Sequence, residues 1–325
     1  MAVASSDLPL VSVVTPSYNQ ARFLEETIQS VLNQDYPRIE YIIIDGGSTD
    51  GSVDIIHRYD DRIAYWISEP DHGQAEAINK GFNHAHGELL GWLNSDDTYT
   101  LGSIRQSVER LMACPRAVAV HGLANVIDQN SRVVVEGKAR EPKPFNLKEE
   151  LCGNVICQPT VLMRRGPLFG VGLLDQSMHY AFDYDLWLKL ALVGEIVEVG
   201  EVQANFRISD ASKSMSQTDR FLPEVLRAFD SFFSRPDLPN EIRSMRRLAY
   251  SSYLALEAPH PIYRPRHLMT REQLRRMRQL LWASIWWYPA NPRTLISLAE
   301  ILDSYSNTNL TDLIRRSWRC VARAR

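Results

Sequence analysis

Residues 88–98 read ELLGWLNSDDT, an apolar run that ends abruptly in two adjacent carboxylates. A short apolar run bounded by polar residues is typical of a buried strand. Such a strand would deliver Asp96 and Asp97 to the edge of a sheet, where open α/β folds bind their ligands. Carboxylate oxygens in that position suit Mg²⁺ or Mn²⁺ carrying a diphosphate. Taken alone, the same residues also suit an ordinary turn, because Asn, Ser and Asp are common turn residues.

The chain before this stretch alternates between strand and helix patterns. Residues 10–15 (LVSVVT) and 41–44 (YIII) are β-branched runs typical of strands, and residues 63–67 form a third run. Apolar residues recur at helical spacing over residues 23–32, and residues 73–85 form another helical segment. This alternation predicts a parallel, doubly wound α/β sheet.

Three polar loops follow the predicted strands. They are residues 16–20 (PSYNQ), residues 45–51 (DGGSTDG) and residues 94–97 (NSDD). Because the carboxyl ends of parallel strands lie at one edge of a sheet, we expect the three loops to converge there. The glycines of the second loop would let its backbone approach a ligand closely. The convergence favours a nucleotide-binding cleft over an isolated turn.

The segments in this order resemble glycosyltransferase family 2, and the resemblance extends over about residues 8–210. The residues that carry it are 13–19 (VVTPSYN), 43–51 (IIDGGSTDG), 93–97 (LNSDD), 68–73 (SEPDHG) and 77–81 (AINKG). The resemblance implies a GT-A fold, which is Rossmann-like, with a mostly parallel central sheet flanked by helices. The pattern is similar to the bacterial branch that builds O-antigen and capsular polysaccharides.

The resemblance also implies a nucleotide-sugar site at the strand ends. Thr15, Pro16 and Tyr18 would line the base and ribose pocket, and Asp45 would hydrogen-bond the nucleobase. The other implied contacts to the nucleotide-sugar are Asp71, Lys80, Asn94, Ser95, Asp97, Arg207 and Lys213. The basic side chains at 207 and 213 would offset phosphate charge, although a solvated loop also explains them.

The implied cofactor is Mn²⁺ or Mg²⁺, with Asp96 as the main ligand and Asp97 beside it as a second ligand or a contact to the donor sugar. A cation between carboxylate and diphosphate would stabilise the charge that develops on the leaving group. The family carries Asp-x-Asp at this point, and Asn94 stands here in place of the first aspartate. A neutral carboxamide supplies less charge to a metal.

Residues 182–190 read FDYDLWLKL, and their pattern predicts a helix that begins at Leu186 with Asp185 as its N-cap. The resemblance implies that Asp183 is the general base, which takes a proton from the acceptor hydroxyl. The Glu that precedes this aspartate in the family is Phe182 in this chain. Helix capping by both aspartates is the alternative interpretation.

The C-terminal part of the chain has a different character. Residues 221–325 contain 17 Arg, no Lys and 9 acidic residues, a net charge of +8. Arginines and an apolar stripe precede Trp282 and Trp286, which is typical of a helix on an anionic membrane. A helical subdomain that packs on the catalytic domain or on a second subunit is the alternative. No nucleic-acid partner is expected, because no nucleic-acid motif accompanies the arginines.

The sequence favours a cytoplasmic protein, either free or peripherally bound to the inner face of the cytoplasmic membrane. The four cysteines lack metal-site spacing and are interpreted as free thiols in a reducing compartment. The first residues lack a signal-peptide pattern, and no run approaches the ~18 apolar residues of a membrane span. The sequence does not define an oligomeric state.

We therefore expect a catalytic domain over residues 1–220, with a donor half at about 8–100 and an acceptor half at about 101–220, followed by a helical region over 221–325. The expected enzyme is an inverting glycosyltransferase. It would move a sugar from a nucleotide donor, UDP-sugar favoured, to a saccharide acceptor, lipid-linked, in bacterial surface polysaccharide biosynthesis.

Two alternatives are weighed against this function. A nucleotidyltransferase would need a basic, glycine-rich loop after the first strand, and residues 15–20 (TPSYNQ) contain neither Gly nor Lys. A catalytically inactive nucleotide-sugar-binding or scaffold protein would not need the acidic residues. The presence of Asp96, Asp97 and Asp183 together argues against it.

Overall fold

A computed structural model describes residues 8–209, 218–256, 271–289, 291, 294, 295 and 298. The chain divides into two compact units. The first comprises residues 1–147 and 155–224, and the second comprises residues 148–154 and 225–325. The expected domain boundary at residues 220/221 remains a prediction, since the second unit also takes in residues 148–154.

A nine-stranded sheet runs through the described residues of the first unit. Its strands are β1 (Val11–Ser17), β2 (Ile39–Asp45), β3 (Tyr65–Ser68), β4 (Leu89–Trp92), β5 (Thr98–Tyr99), β6 (Ala117–Ile127), β7 (Val133–Val135), β8 (Leu162–Arg164) and β9 (Glu195–Arg207). Their spatial order is β3-β2-β1-β4-β8-β6-β9-β5, and β7 pairs with β6.

Helices alternate with the strands and continue beyond them. They are α1 (Ala21–Leu32), α2 (Ser52–His57), α3 (Gln74–His84), α4 (Ser103–Ala113), α5 (Leu147–Leu151), α6 (Arg165–Gly170), α7 (Phe182–Val193), α8 (Thr218–Phe233), α9 (Asn240–Ser244), α10 (Arg246–Leu256) and α11 (Arg271–Trp287). A short 3-10 helix lies at Gln158–Thr160. Helix α1 buries Leu24, Ile28 and Val31, whose spacing of three to four residues places them on one face.

The parallel part of the sheet is centred on β1. Strands β2 and β4 flank β1 in parallel, and β3 pairs in parallel with β2. Every residue of β1 is buried, and so are Ile42, Ile43 and Ile44 of β2. A continuous apolar run is expected when both faces of a parallel sheet are covered. The strand–helix alternation predicted for the first hundred residues is confirmed.

The other part of the sheet is mixed. Strand β8 runs antiparallel to both β4 and β6, and β5 runs antiparallel to β9. Strands β6 and β9 are parallel neighbours. The parallel sheet expected from the first hundred residues is therefore confirmed from β3 to β4, and the sheet beyond β4 is mixed. Strand direction depends on partners far away in the sequence, which the local pattern around β8 does not encode.

Gly81 of α3 marks the close approach of that helix to β1. A β-carbon at residue 81 would overlap Val14 Cγ1, and Val14 is fully buried. We expect Gly81→Ala to lower the free energy of unfolding by about 1–3 kcal/mol through overpacking. Gly166 of α6 has no neighbour within 4 Å of its β-carbon position, so Gly166→Ala serves as the control. Equal denaturant midpoints for the two variants would contradict the close packing.

The described residues of the second unit are helical and carry an aromatic core. The ring of Phe229 lies 5.2 Å from the ring of Tyr250 and 5.3 Å from that of Tyr253. Tyr250 also stacks on Trp287 at 4.3 Å. The expected helical C-terminal region is thus present. Within the described part of the chain, no helix has both the length and the hydropathy to cross a bilayer.

Candidate active site

The loops that follow β1 and β2 are tied together by hydrogen bonds. Ser48 Oγ accepts the Asn19 N–H at 2.8 Å, and Asn19 Oδ1 accepts the Thr49 N–H at 2.9 Å. Asp50 Oδ2 accepts the N–H of Ala21, the first residue of α1, at 2.9 Å. The two loops therefore form one polar platform at the carboxyl edge of the parallel strands, as their sequence position predicts.

Tyr18 is the exposed member of the three residues expected to line the base and ribose pocket. Its side chain is 63% exposed. Thr15 and Pro16 are buried within β1, and Thr15 Oγ1 lies 3.0 Å from the hydroxyl oxygen of Tyr41. Contacts of Thr15 and Pro16 with a nucleotide remain predictions, whereas the Tyr18 ring is already accessible to one.

Asp45 is fully buried at the end of β2. Its Oδ2 accepts the N–H groups of Gly47 and Ser48 at 3.1 and 2.8 Å and the Ser68 hydroxyl at 2.7 Å. Its Oδ1 accepts the Ser48 hydroxyl at 2.5 Å. The carboxylate thus holds the loop after β2 in place. A contact between Asp45 and a nucleobase remains a prediction.

Asp71 and Lys80 lie before and within α3. Asp71 Oδ1 accepts the Gly73 N–H at 2.9 Å, and burial raises the pKa of this carboxyl. Lys80 Nζ pairs with Glu69 at 2.8 Å and with Glu76 at 3.4 Å. The ammonium group is therefore partly neutralised by protein carboxylates. A contact between Lys80 and the donor remains a prediction.

The two carboxylates after β4 have different environments. Asp97 is 1% exposed, and its Oδ1 accepts the backbone N–H of Arg207 at 2.8 Å. Burial, and after it the charge of Asp96, raise the pKa of Asp97 well above its usual range. Asp96 is half-buried, while Ser95 is buried. Asp96 therefore lies nearer the surface of the turn, and Asp97 lies inside it.

Asn94 belongs to a chain of amide hydrogen bonds. Its Oδ1 accepts from Gln74 Nε2 at 2.8 Å, and its Nδ2 donates to Gln158 Oε1 at 3.0 Å. Gln158 Nε2 donates to the Trp92 carbonyl at 2.9 Å, which fixes the end of the Gln158 amide that faces Asn94. Asn94 Nδ2 also lies 3.4 Å from Asp97 Oδ2. A neutral amide donates here, where an aspartate would repel Asp97.

Arg207 holds the acidic turn, residues 94–97, by hydrogen bonds from the interior of the protein. The residue is 1% exposed at the end of β9. Its Nε donates to the Asp96 carbonyl oxygen at 2.7 Å, and its Nη2 pairs with Glu26 at 2.7 Å. This conformation turns the guanidinium into the protein, so the expected contact of Arg207 with a diphosphate does not fit it. Lys213, the other basic residue expected there, lies outside the described residues.

Helix α7 begins earlier than the sequence pattern predicts. It starts at Phe182 with Ala181 as N-cap, so the predicted start at Leu186 and the N-cap role of Asp185 are wrong. Asp185 is buried inside the first turn, with Oδ2 2.5 Å from Lys189 Nζ. The turn that leads into α7 is instead held by a residue from a distant part of the chain.

That residue is Glu224 of α8. Its carboxylate accepts the N–H groups of residues 179–181 at 2.7 to 3.0 Å, where a negative charge also complements the helix dipole. Asp183 lies in the first turn of α7, directly after these residues. Burial is the main cause that raises the pKa of Asp183 to about 6, and the charge of Glu224 adds to it. A carboxyl with this pKa suits general base work near neutral pH.

Cys157 adjoins Gln158, the hydrogen-bond partner of Asn94. Burial raises the pKa of its thiol to about 12, and the charges of Asp97 and Asp183 both contribute. Trp92 of β4 stacks on Trp187, one turn after Asp183, with ring centroids 5.5 Å apart. The acidic turn after β4 and the start of α7 therefore belong to one site.

The carboxylates of this site suit a cation that is held jointly by the protein and a bound diphosphate. Mg²⁺ and Mn²⁺ sites in proteins use one or two carboxylates, and substrate phosphates and water complete the shell. In the described ranges, no group of three or more His, Cys, Asp or Glu side chains could hold a metal. Asp96, with the buried Asp97 beside it, suits a cation that takes its remaining ligands from a diphosphate.

Sequence reasoning missed Gln74, Gln158 and Glu224. Each acts on a residue at least 20 positions away. Their residue types carry no local pattern of their own, since glutamine and glutamate are ordinary surface residues. Gln74 lies next to one of the family-like segments, and this position is the one signal in the sequence that could have drawn attention to it.

Comparison with known proteins gives the family. The Glycosyl transferase family 2 model matches residues 12–168. A putative teichuronic acid biosynthesis glycosyltransferase, TuaG of Bacillus subtilis, is 42% identical over 213 residues, which cover 64% of this chain and 83% of TuaG. The chain spans about 65% of the length of two uncharacterized glycosyltransferases of Rickettsia that it matches.

Solved structures share the fold at low sequence identity. S. aureus TarS in complex with UDP-GlcNAc is 17% identical with a TM-score of 0.67, over 95% of this chain and 91% of that one. A mannosyltransferase from Pyrobaculum calidifontis in complex with GDP-Man and Mn²⁺ is 19% identical with a TM-score of 0.61, over 97% of this chain and 86% of that one.

The polar loops at the sheet edge and the acidic turn are consistent with the family match. The chain belongs to glycosyltransferase family 2, and its fold is of the GT-A type. The family expected from the sequence is thereby confirmed.

Proposed function

We propose that this chain transfers a sugar from a nucleoside diphosphate sugar, UDP-sugar favoured, to the hydroxyl of a saccharide acceptor. The acceptor is lipid-linked, and the product belongs to a bacterial surface polysaccharide. The similarity to TuaG, a putative teichuronic acid biosynthesis glycosyltransferase, supports a surface-polysaccharide role more closely than O-antigen in particular. The complexes of TarS and of the mannosyltransferase with nucleotide-sugars support the donor class.

One observation carries the proposal: Trp92, at the end of the strand that leads into the acidic turn, stacks on Trp187, one turn after Asp183, with ring centroids 5.5 Å apart. A diphosphate-binding turn and a base must lie on two sides of one small substrate for transfer to occur. Separate helix-capping or turn-forming roles would not require the acidic turn and the first turn of α7 to pack together. Their meeting in one place therefore favours catalysis over a scaffold function.

Asp183 performs the proton transfer in the proposed reaction. Its carboxylate accepts the proton of the acceptor hydroxyl while that oxygen attacks the anomeric carbon of the donor sugar. The bond from the anomeric carbon to the diphosphate breaks as the new glycosidic bond forms. Because this is a single displacement, the configuration at the anomeric carbon is inverted.

Asp96 and the turn behind it hold the leaving group. A Mn²⁺ or Mg²⁺ ion bound at Asp96 would act as a Lewis acid that stabilises the charge on the leaving diphosphate. Arg207 fixes the Asp96 carbonyl and the Asp97 carboxylate through its side chain and backbone N–H, respectively. These hydrogen bonds from Arg207 hold the backbone of the acidic turn, from which the Asp96 side chain extends.

The proposal is tested by sugar transfer. Purified protein is incubated with Mn²⁺, a panel of radiolabelled UDP-, GDP- and dTDP-sugars, and lipid-extracted acceptors from a bacterial membrane. We expect label from one donor class in the lipid fraction, with an inverted linkage by NMR. A protein that binds the donor but leaves it intact would be a nucleotide-sugar-binding or scaffold protein. Transfer of the nucleotide instead of the sugar would identify a nucleotidyltransferase.

Activity should depend on pH through Asp183. The base works when it is ionised, so kcat/KM should rise as the pH increases through about 6. In Glu224→Gln, the amide still accepts backbone N–H groups, but the negative charge that raises the pKa of Asp183 is gone. We expect the inflection to move down by about half a pH unit. Glu109→Gln, an exposed change on α4, is the control. An inflection that stays in place or moves up would contradict the coupling.

We also propose that α11 rests on an anionic membrane at the cytoplasmic face. Trp282 and Trp286 are 70% and 72% exposed and lie one turn apart. Exposed Arg275 lies two turns before Trp282 on the same face. Interfacial tryptophans with nearby arginines are typical of helices that bind anionic bilayers. Such binding would bring the enzyme to a lipid-linked acceptor.

Vesicle sedimentation measures the binding of the protein to membranes through this surface. We expect the protein to bind vesicles rich in phosphatidylglycerol and to bind neutral vesicles weakly. The double variant Trp282→Ala/Trp286→Ala should lose most of this binding. Leu101→Ala removes a 76% exposed apolar side chain of the first unit and should have no effect. Equal binding of the double variant and the wild type would reject the membrane surface and favour a protein partner for α11.

A further inference from the structure

The nucleotide pocket needs a polar group at its rim, and Asp45 is poorly placed to be that group. Both of its carboxylate oxygens accept hydrogen bonds from the loop after β2, as described above. The residue is fully buried. A carboxylate that holds its own loop is occupied in the folded protein, so another group must read the base.

Asp71 reaches the position that a side chain at residue 46 would take. Its Oδ2 lies 2.7 Å from the β-carbon position of Gly46, and Tyr18 Cδ2 lies 3.3 Å from the same point. The backbone at Gly46 is outside the left-handed region, unlike that of Gly47. Glycine at 46 is therefore explained by space rather than by backbone conformation. The absent side chain leaves room for the Asp71 carboxylate beside the Tyr18 ring.

The two oxygens of Asp71 have different surroundings. Oδ1 accepts the Gly73 N–H at 2.9 Å, which fixes the orientation of the carboxylate. In the part of the chain that the structure describes, no donor to Oδ2 is present, and this oxygen points at Gly46. The half-buried carboxylate is thus anchored on one side and available as an acceptor on the other.

Tyr18 supplies the second part of a base site. Its ring is 63% exposed and adjoins the same space over Gly46. An exposed aromatic ring is a stacking surface for any nucleobase. A carboxylate oxygen at the edge of that surface distinguishes bases by the hydrogens they carry.

We infer that Tyr18 and Asp71 form the nucleobase site, with Asp71 Oδ2 accepting the ring N–H of a base that has one. Uracil and thymine carry this hydrogen at N3, and guanine carries it at N1. Cytosine and adenine present a bare ring nitrogen, whose lone pair would face the carboxylate. A site built for a hydrogen bond rejects an analogue that cannot make it. The inference rests on the proposed function, since it names the class of nucleotide that the donor carries.

The substitution Asp71→Asn gives a sharp test because the Gly73 N–H fixes the orientation of the new amide. The amide oxygen takes the place of Oδ1, so the NH₂ group faces the base. That group repels the N–H of uracil and can donate to N3 of cytosine. The variant should therefore change the choice of base and not merely weaken binding.

The experiment is calorimetric titration of the full chain with UDP, dTDP, GDP, CDP and ADP in the presence of Mn²⁺. The wild type should bind at least one of UDP, dTDP and GDP about 10- to 100-fold more tightly than CDP and ADP, as expected for a hydrogen bond to a charged group. In Asp71→Asn, affinity for the favoured nucleotide should fall by a similar factor, while affinity for CDP should stay the same or increase.

Two further variants separate this role from a structural one. Tyr18→Ala removes a stacking surface without touching the acceptor, so it should weaken all five nucleotides by about tenfold and leave their ratios unchanged. Asp61→Asn, an exposed change outside the site, should alter nothing. Thermal unfolding of each variant shows that the comparison is between folded proteins.

The outcomes distinguish this inference from the proposed function. Wild-type binding in which none of UDP, dTDP and GDP is favoured over CDP and ADP would overturn the role of Asp71 and leave the enzyme class intact. A uniform loss of affinity for every nucleotide in Asp71→Asn would also overturn it. Failure of the wild type to bind any nucleoside diphosphate would overturn the inference and the proposed function together.

Discussion

Asp183→Asn is expected to reduce sugar transfer by about 10²- to 10⁴-fold, the usual contribution of general base catalysis. An amide of the same size preserves the first turn of α7 but cannot accept a proton. The affinity for nucleoside diphosphate should remain within about twofold of the wild type, because the loss falls on the acceptor side of the reaction. The measurement is kcat for transfer beside calorimetric titration with the nucleotide.

The pH profile gives this prediction a second readout. The residual activity of Asp183→Asn should lose the inflection near pH 6 that the wild type shows. Asp61→Asn makes the same chemical change on an exposed side chain and should keep full activity. A variant that retains more than about a tenth of wild-type activity, with its inflection intact, would mean that another group is the base.

Asp96→Ala is expected to reduce transfer by about 10³-fold or more, because a cation at the leaving group is worth several kcal/mol and each 1.36 kcal/mol is tenfold. The half-buried Asp96 is the carboxylate of the pair that lies nearer the surface of the turn. The affinity for UDP or GDP should fall when Mn²⁺ is present and change little when EDTA is added. Titration under both conditions, beside kcat, measures this.

A direct view of the ion completes that test. Mn²⁺ gives a sharp electron spin resonance spectrum when free and a much broader one when bound to a protein. The loss of the sharp signal therefore measures occupancy of the metal site with nucleotide present. Wild type should show nucleotide-dependent occupancy, and Asp96→Ala should show little. The control is Asp61→Ala on the surface. Full occupancy and activity in Asp96→Ala would place the ion elsewhere.

The sequence carried a large part of the fold because the information for it is local. Strands β1, β2 and β4 are apolar runs of the right length, and each ends in a polar loop. Parallel neighbours place those loops on one edge by geometry alone. The position of Asp96 and Asp97 at that edge needed no knowledge of distant contacts.

The parts that the sequence did not predict depend on distant partners. The turn before α7 is held by Glu224 from another helix, and the helix begins at Phe182, so Asp185 looked like the cap when only local residues were considered. Arg207 looked like a surface cation, but the carbonyl of Asp96 and the carboxylate of Glu26 draw it into the protein.

Asn94 shows why a departure from a family motif is hard to evaluate from sequence. Its loss of charge relative to aspartate suggested a weaker metal site. The structure shows a gain as well, because the amide donates to Gln158 and lies beside the buried Asp97. Gly46 is a similar case, because the absence of a side chain at residue 46 leaves space for the Asp71 carboxylate.

The most direct test of the central claim is the release of nucleoside diphosphate from UDP-, GDP- and dTDP-sugars with Mn²⁺ or Mg²⁺ and a membrane extract as acceptor source. The account predicts release from one donor class by the wild type, with loss of release in EDTA and in Asp96→Ala. No release from any donor would contradict glycosyl transfer. Release that persists in EDTA would contradict the role of the cation at Asp96.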